Sequence, residues 1–264
     1  MRTALLDADV ICYQSAASAQ RDYGEEIWTD IKGAIEDAKT QIYKERDQAN
    51  CQKVILVWSP KNGTNWRKLV MPMYKMHRKS TPKPICYGEL RDEMSKLFDN
   101  ISIDYLEGDD IFHMLANKIP DSVVVSIDKD QYTLPDVEYL RPHTMAWPQY
   151  TSLDYANYYW LYQVLIGDST DGYKGLVGCG PKRAEKILSE FLDTGIDPDG
   201  LSTHVFNFDG AWEAVVKAYK EKGQMNWLEQ AQMARILRVG DYCSETHRVK
   251  LFNPDKDQWL QLPK

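Results

Sequence analysis

Three short apolar runs constrain this chain most: TALLDADVICY at residues 3–13, which reads as a strand ending in aspartates, KVILVWS at 53–59 and DSVVVSIDKD at 121–130. KVILVW and SVVV are apolar almost throughout rather than alternating. That is the pattern of strands covered on both faces, as in parallel sheets. Between the runs lie stretches with helical spacing, at about 25–48 and 85–99 and in EGDDIFHMLANKI, whose acids come first, as at a helix N-terminus. ISIDYL and VEYLRP read as further short strands. Strands alternating with helices predict an α/β fold with a largely parallel central sheet flanked by helices.

From about Ser152 the β pattern disappears. LDYANYYWLYQVLIG reads as a helix, with apolar or aromatic residues at 155, 158, 159, 162 and 165 and Gly167 as its stop. The remainder, through GQMNWLEQAQMARILRVG, reads as helix or loop. The expected division is an α/β part over 1–150 and a helical part over 151–264. The 264 residues suit one large or two modest domains.

Four acidic clusters sit at element ends. Asp7 and Asp9 follow the first strand, and Glu107, Asp109 and Asp110 open a helix. Asp128 and Asp130 follow SVVVSI, and Asp168 and Asp171 follow the long helix. Carboxyl ends of strands in a doubly wound sheet share one edge, where ligands bind. So many carboxylates cannot all stay ionised together without cations, because like charges raise each other's pKa. Oxygen-only donors suit Mg²⁺ or Mn²⁺, and two such ions form a clamp for in-line phosphodiester cleavage. Taken singly, EGDD reads as helix-end charge, DKD as a turn and DSTD as a cap. Asp7 differs, since an acid within an apolar strand is costly unless it is used.

The net charge of −7 would by itself argue against a polyanionic partner, but its distribution matters more. Lys61 to Lys83 holds seven Lys or Arg residues and no acid, interleaved with Trp66 and Tyr74. Such a run suits a polyanion, and its aromatics suit single-stranded nucleic acid; the plain alternative is a basic surface loop. A second basic patch is GLVGCGPKRAEKIL. Its glycines allow close backbone approach, Pro181 starts a helix, and the helix N-terminus favours phosphate. Lys182 and Arg183 in that first turn oppose the helix dipole, which makes sense beside an anion. The plain alternative here is a helix–turn–helix hairpin within the fold, near 172–190.

The five cysteines are scattered and form no C-x-x-C pair, which points to free thiols in a reducing cytoplasm rather than to disulfides or zinc. No stretch approaches the ~20 apolar residues of a membrane span. TALLDADVIC is too short and too acidic for a signal peptide. The expected setting is the cytoplasm, without a membrane and without a small organic cofactor.

Taken in order, LLDAD, NWRKLVMPMYKMHRK, LEGDDIF, SIDKDQYTL, GDSTDGYKGLVGCGPKRAEKIL and QMARILR resemble the 5′-nuclease family of flap endonucleases and 5′→3′ exonucleases. The likeness is greatest to phage replication exonucleases. The resemblance implies a PIN/5′-nuclease-like fold and hydrolysis of DNA, or of RNA primer in RNA–DNA hybrid, at a 5′ end or 5′ flap. It implies that Asp7, Glu107, Asp109, Asp110, Asp128, Asp130, Asp168 and Asp171 hold two divalent ions, Mg²⁺ or Mn²⁺. Lys75 and Arg78 would steer the scissile phosphate from a helical arch near 60–90, with Arg67 at its entrance. Gly178, Gly180, Lys182 and Arg183 would contact duplex backbone, with a K⁺ ion at the turn. Many members carry an aspartate after the second of the apolar strands, where this chain has WSPKNG; Ser59 or Pro60 stands near that place. Asp9 has no counterpart in the family pattern.

Two other readings stand beside this one. LLDADVI, VVVSID and GDSTD imitate the motifs of haloacid-dehalogenase-like phosphatases, but that reading leaves EGDD and both basic segments without a purpose. A non-catalytic DNA-binding module would explain the basic segments and leave the acids idle.

Overall fold

The three apolar runs become neighbouring parallel strands. In the computed structural model, which describes residues 1–22, 24, 27–77, 82–196 and 202–263, the chain divides into two compact units. The first comprises Met1–Asn65, Lys79–Gln131 and Val137–Tyr150; the second comprises Trp66–Arg78, Tyr132–Asp136 and Thr151–Lys264. The second unit takes in the chain from Thr151 onward together with two short excursions from the first part of the chain.

The elements run β1 (Thr3–Asp7), α1 (Ala8–Ser18), β2 (Gln20–Asp22), β3 (Ile27–Thr29), α2 (Ile31–Gln48), β4 (Lys53–Trp58), α3 (Arg67–Val70), α4 (Tyr87–Leu97), β5 (Asn100–Ser102), α5 (Gly108–Lys118), β6 (Ser122–Val125), β7 (Val137–Leu140) and β8 (Gln149–Thr151). The main sheet has the order β5-β4-β1-β6-β7-β8. The pairings β1–β4, β1–β6, β4–β5 and β6–β7 are all parallel. Leu5 stands opposite Ile55 on one side and Val124 on the other, and Ala4, Leu5 and Leu6 are fully buried. Ile11, Ala38, Ile42, Leu90 and Met94 from α1, α2 and α4 pack with Ala4 and Leu6 in one core cluster. Strands in this register end together, so Asp7, Ser59 and Ser126 share the carboxyl edge of the sheet.

Two local expectations change. The strand opening the chain stops at Asp7, whose carboxylate caps α1 by accepting from the Val10 amide at 3.4 Å. The segment 25–48 is helical only from Ile31. Asp30 caps α2 through the Gly33 amide at 2.9 Å, and β3 pairs with β2 in a hairpin before it.

The second unit is built on α6 (Leu153–Ile166), α7 (Pro181–Leu188), β9 (Leu192–Ile196), β10 (Ser202–Phe206), α8 (Phe208–Glu221), α9 (Trp227–Ala234), β11 (Tyr242–Cys243), β12 (Arg248–Leu251) and β13 (Gln258–Gln261). It is not purely helical. β9 and β10 form an antiparallel hairpin, and β11, β12 and β13 form a small antiparallel sheet. These strands are short and half solvated. In RVKL only Val249 and Leu251 are buried, so no continuous apolar run marks them. Trp160 of α6 donates to the Ala231 carbonyl at 3.0 Å, and Tyr219 of α8 donates to the Val164 carbonyl at 2.6 Å, tying the helices together. All five cysteines are free thiols. Among the described residues no helix is long and apolar enough to cross a membrane.

Candidate functional site

In the first unit the acids are linked through neutral donors. The Ser126 hydroxyl donates to Asp7 at 2.8 Å and accepts from the Asp128 amide at 3.1 Å. The Asp128 carboxylate accepts from the Asp130 amide at 2.9 Å. Tyr139, on β7, places its hydroxyl 2.9 Å from the Ser126 carbonyl and 2.6 Å from that of Asp128, fixing the loop after β6. Burial, followed by the neighbouring Asp9 and Asp128 charges, pushes the Asp7 carboxyl up to about 7. The hydrogen bonds from Ser126 and Val10 oppose the rise without cancelling it.

The acids-first helix forms as expected. Glu107 is the N-cap of α5, and with Asp110 it makes a capping box: the Glu107 side chain accepts from the Asp110 amide, and Asp110 accepts from the Glu107 amide at 3.3 Å. Asp110 is fully buried. Asp109 accepts from Gln131 at 2.5 Å, and Gln131 is itself buried. Lys129 stands 3.8 Å from Asp130.

Among the described residues no three Asp, Glu, His or Cys side chains close around one metal position. The donors nevertheless fit a divalent ion by their chemistry. They are carboxylate oxygens without Cys or His, which suits a hard cation, and burial with neighbouring acids raises the Asp7 carboxyl.

In the second unit, Asp168 and Asp171 lie in the loop between α6 and α7. The Asp168 carboxylate accepts from the Thr170 and Asp171 amides at 2.7 and 3.3 Å, forming a tight turn. Asp171 meets the basic segment directly. Its carboxylate accepts from the Tyr74 hydroxyl at 2.7 Å and lies 3.4 Å from the Lys75 ammonium, while its carbonyl accepts from the Lys75 amide at 2.9 Å. Lys75 has φ +54, a left-handed conformation unusual for a non-glycine residue. Strain of this kind persists where surrounding contacts over-determine it, and it clusters at functional sites.

Among described residues 61–77 of the basic segment only Arg67–Val70 form an α-helical turn, so this part is not the continuous helix expected of an arch. Pro72 lacks the amide needed to continue it, and Lys75 leaves the helical region altogether. Arg78 lies outside the described residues. Arg67, expected at the arch entrance, is only 3% exposed. Its guanidinium donates to the Met233 carbonyl at 3.2 Å and the Arg235 carbonyl at 2.7 Å, and it lies 4.5 Å from the Trp66 ring. It therefore anchors the basic segment to the end of α9 rather than facing solvent.

The glycine-rich loop uses its glycines in two ways. A Cβ on Gly167 would fall 2.3 Å from the Lys174 carbonyl carbon, and one on Gly175 would fall 2.3 Å from the Gly167 nitrogen. The two backbones press together, and Gln230 seals the contact by accepting from the Gly175 amide at 2.8 Å. By contrast, a Cβ on Gly178 or Gly180 would meet nothing within 4 Å. Gly180 is the N-cap of α7 and Pro181 its first residue, with Lys182 exposed and Arg183 half-buried in the first turn. α7 is joined to the preceding helix α6 by the loop 167–180. The partners that motifs alone did not reveal are Ser126, Gln131, Tyr139, Tyr74 and Gln230. Of these only Tyr74, beside Lys75 in MYKMHR, carried a sequence signal.

No family model matches the chain. It is 27% identical to the exonuclease of Escherichia phage T7, over 95% of this chain and 93% of that protein. It is 30% identical to the flap endonuclease Xni of Shewanella putrefaciens, over 61% of this chain and 70% of that protein. Among solved structures, the phage T5 D15 protein co-crystallized with metal ions superposes with a TM-score of 0.55 at 17% identity, over 89% of this chain and 93% of that one. A D15 flap endonuclease variant in a complex with DNA and metal ions gives 0.54 at 14% identity. These structures share the fold, and the sequence relatives carry the identity. The chain belongs to the 5′-nuclease family of exonucleases and flap endonucleases.

Proposed function

We propose that this nuclease hydrolyses DNA, and RNA primer in RNA–DNA hybrid, from the 5′ end or at a 5′ flap, with two divalent ions, Mg²⁺ or Mn²⁺. The proposal needs eight carboxylates: Asp7, Glu107, Asp109, Asp110, Asp128 and Asp130 in the first unit, and Asp168 and Asp171 in the second. The observation that carries it is the linked set at the sheet edge, Asp7–Ser126–Asp128–Asp130, together with a raised Asp7 carboxyl. Bound ions supply an activated water and charge neutralisation at the scissile phosphate.

The chain's own residues do the rest. Ser126 and Tyr139 hold the strand-end acids in place, and the capping box holds Glu107 and Asp110 at the start of α5. Lys75 carries a positive charge beside Asp171 and, with Arg78, steers the phosphate. Gly178 and Gly180 leave room for a backbone phosphate at the α7 N-terminus, where Lys182 and Arg183 add charge and a K⁺ ion completes the turn. Contacts of this kind position a duplex without reading its sequence, so specificity is for structure and binding weakens with salt. The free thiols fit action in the cytoplasm, the host's if the chain is phage-encoded.

The test is Mg²⁺-dependent digestion of a 5′-labelled duplex by the parent, Asp128→Ala and Asp168→Ala. Each substitution should lower activity by at least about 100-fold, above the loss typical of groups that only support a metal ligand. Equal activity in all three would overturn the two-ion reading.

A further inference from the structure

The carboxyl end of β4 carries no acid, yet the residue just beyond it is bonded on several sides. Ser59, the residue just beyond the strand, is engaged through three of its polar groups. Its amide donates to the Asp9 carboxylate at 2.7 Å, and its carbonyl accepts from Arg91 at 2.7 Å. Its hydroxyl accepts from the Gly108 amide at 3.1 Å. Asp9 is in turn occupied: the Tyr87 hydroxyl donates to it at 2.5 Å, and Arg91 stands 3.8 Å away. Arg91 is buried against the Trp58 ring at 4.7 Å.

Gly108 is the first residue of α5, flanked by Glu107 and Asp109. The first amides of a helix have no partner within it. Here the capping box satisfies the Asp110 amide, and Ser59 satisfies that of Gly108. The strand end and the acidic helix end are thereby joined by one hydroxyl.

We infer that Ser59, locked by Asp9 and Arg91, is a positioning residue that fixes the first turn of α5 and with it the carboxylates proposed as metal ligands. Asp9 is then a structural acid, not a ligand. The inference rests on the metal-binding reading above. Asp9 thus sits beside the acids as the group that holds the Ser59 amide.

Mn²⁺ titration followed by electron paramagnetic resonance, without substrate, tests it on the full chain. Ser59→Ala should weaken Mn²⁺ binding by about 10-fold and speed hydrogen exchange at the Gly108 amide, while duplex binding in EDTA stays at the parent level. Ser59→Thr, which keeps the hydroxyl, should restore both readouts. Tyr87→Phe, which removes one hydrogen bond to Asp9, should shift Mn²⁺ affinity the same way by a smaller factor and serves if Ser59→Ala does not fold. Parent-like Mn²⁺ affinity in Ser59→Ala, or in Tyr87→Phe if only that variant folds, would overturn the inference alone. A parent that binds no Mn²⁺ would overturn the metal reading and this inference with it.

Discussion

The acids of the two units are held in opposite ways. In the first unit, Asp7, Asp109 and Asp128 accept from a serine, a glutamine and backbone amides, all neutral, and Asp7 is pushed up by burial and by its neighbours. In the second, Asp171 accepts from a tyrosine and faces the ammonium of Lys75. At the sheet edge the cations stand at the margins, Lys129 3.8 Å from Asp130 and Arg91 3.8 Å from Asp9, and Asp7 is held by neutral groups. In the second unit Lys75 stands directly against Asp171. The scaffolds differ as well: register sets the first group, whereas glycine-to-glycine backbone contact sets the second.

Lys75 offers the sharpest way to break this contrast. Lys75→Ala should lower the cleavage rate by about 100-fold or more, the scale of losing a charge-stabilising donor, while duplex binding changes little. A proportional loss of binding would demote Lys75 to a general contact. Lys75→Gly separates chemistry from structure. Glycine accepts φ +54 without the left-handed penalty of about 1–2 kcal/mol, so this variant should match or exceed the stability of Lys75→Ala and be equally slow. An active Lys75→Gly would mean that the ammonium is dispensable.

The next effect acts on the scaffold of the second region. Gly175→Ala adds a methyl 2.3 Å from the Gly167 nitrogen at φ +65. Left-handed strain and overpacking together should cost about 2–5 kcal/mol, read as a lower unfolding midpoint. Hydrogen exchange should show the loop 167–180 loosened and β1, β4 and β6 unchanged. Gly178→Ala, at φ +71 in open space, should cost only the backbone strain, about 1–2 kcal/mol.

The same contrast governs how much could be read from the sequence. The central strands and α5 were legible because burial on both faces and acids at a helix start leave local marks. The acids they carry were legible as well, since β-register brings strand ends to one edge. What stayed hidden depends on side chains meeting across the fold. Arg67 looks in sequence like one more member of a basic run, and only its carbonyl partners Met233 and Arg235, distant in sequence, make it an anchor. Ser59 and Ser126 are single polar residues after apolar strands, and nothing local tells which amide each will meet. The β9–β10 hairpin escaped notice because LDTGI is largely exposed, so its strands show no apolar run.

Glu45 completes the comparison by showing what burial alone does to an acid in the first unit. It lies on α2, away from the carboxyl edge, and burial pushes its carboxyl up to about 7, against opposing help from Gln41 and Lys44. An acid raised in the folded state holds a proton that the unfolded chain, near its ordinary value of 4.5, has already lost. Stability therefore falls as pH rises from about 4.5 to about 7 and stays low above that. Glu45→Gln removes the penalty. It should stabilise the protein at pH 8 by up to about 3 kcal/mol and have little effect near pH 4, as measured by urea unfolding across that range. Mg²⁺ should leave the gain unaltered, because no second acid crowds Glu45 among the causes of its shift, whereas Asp9 and Asp128 both crowd Asp7. If Mg²⁺ erased the gain, burial alone would not distinguish Glu45 from the acids of the edge.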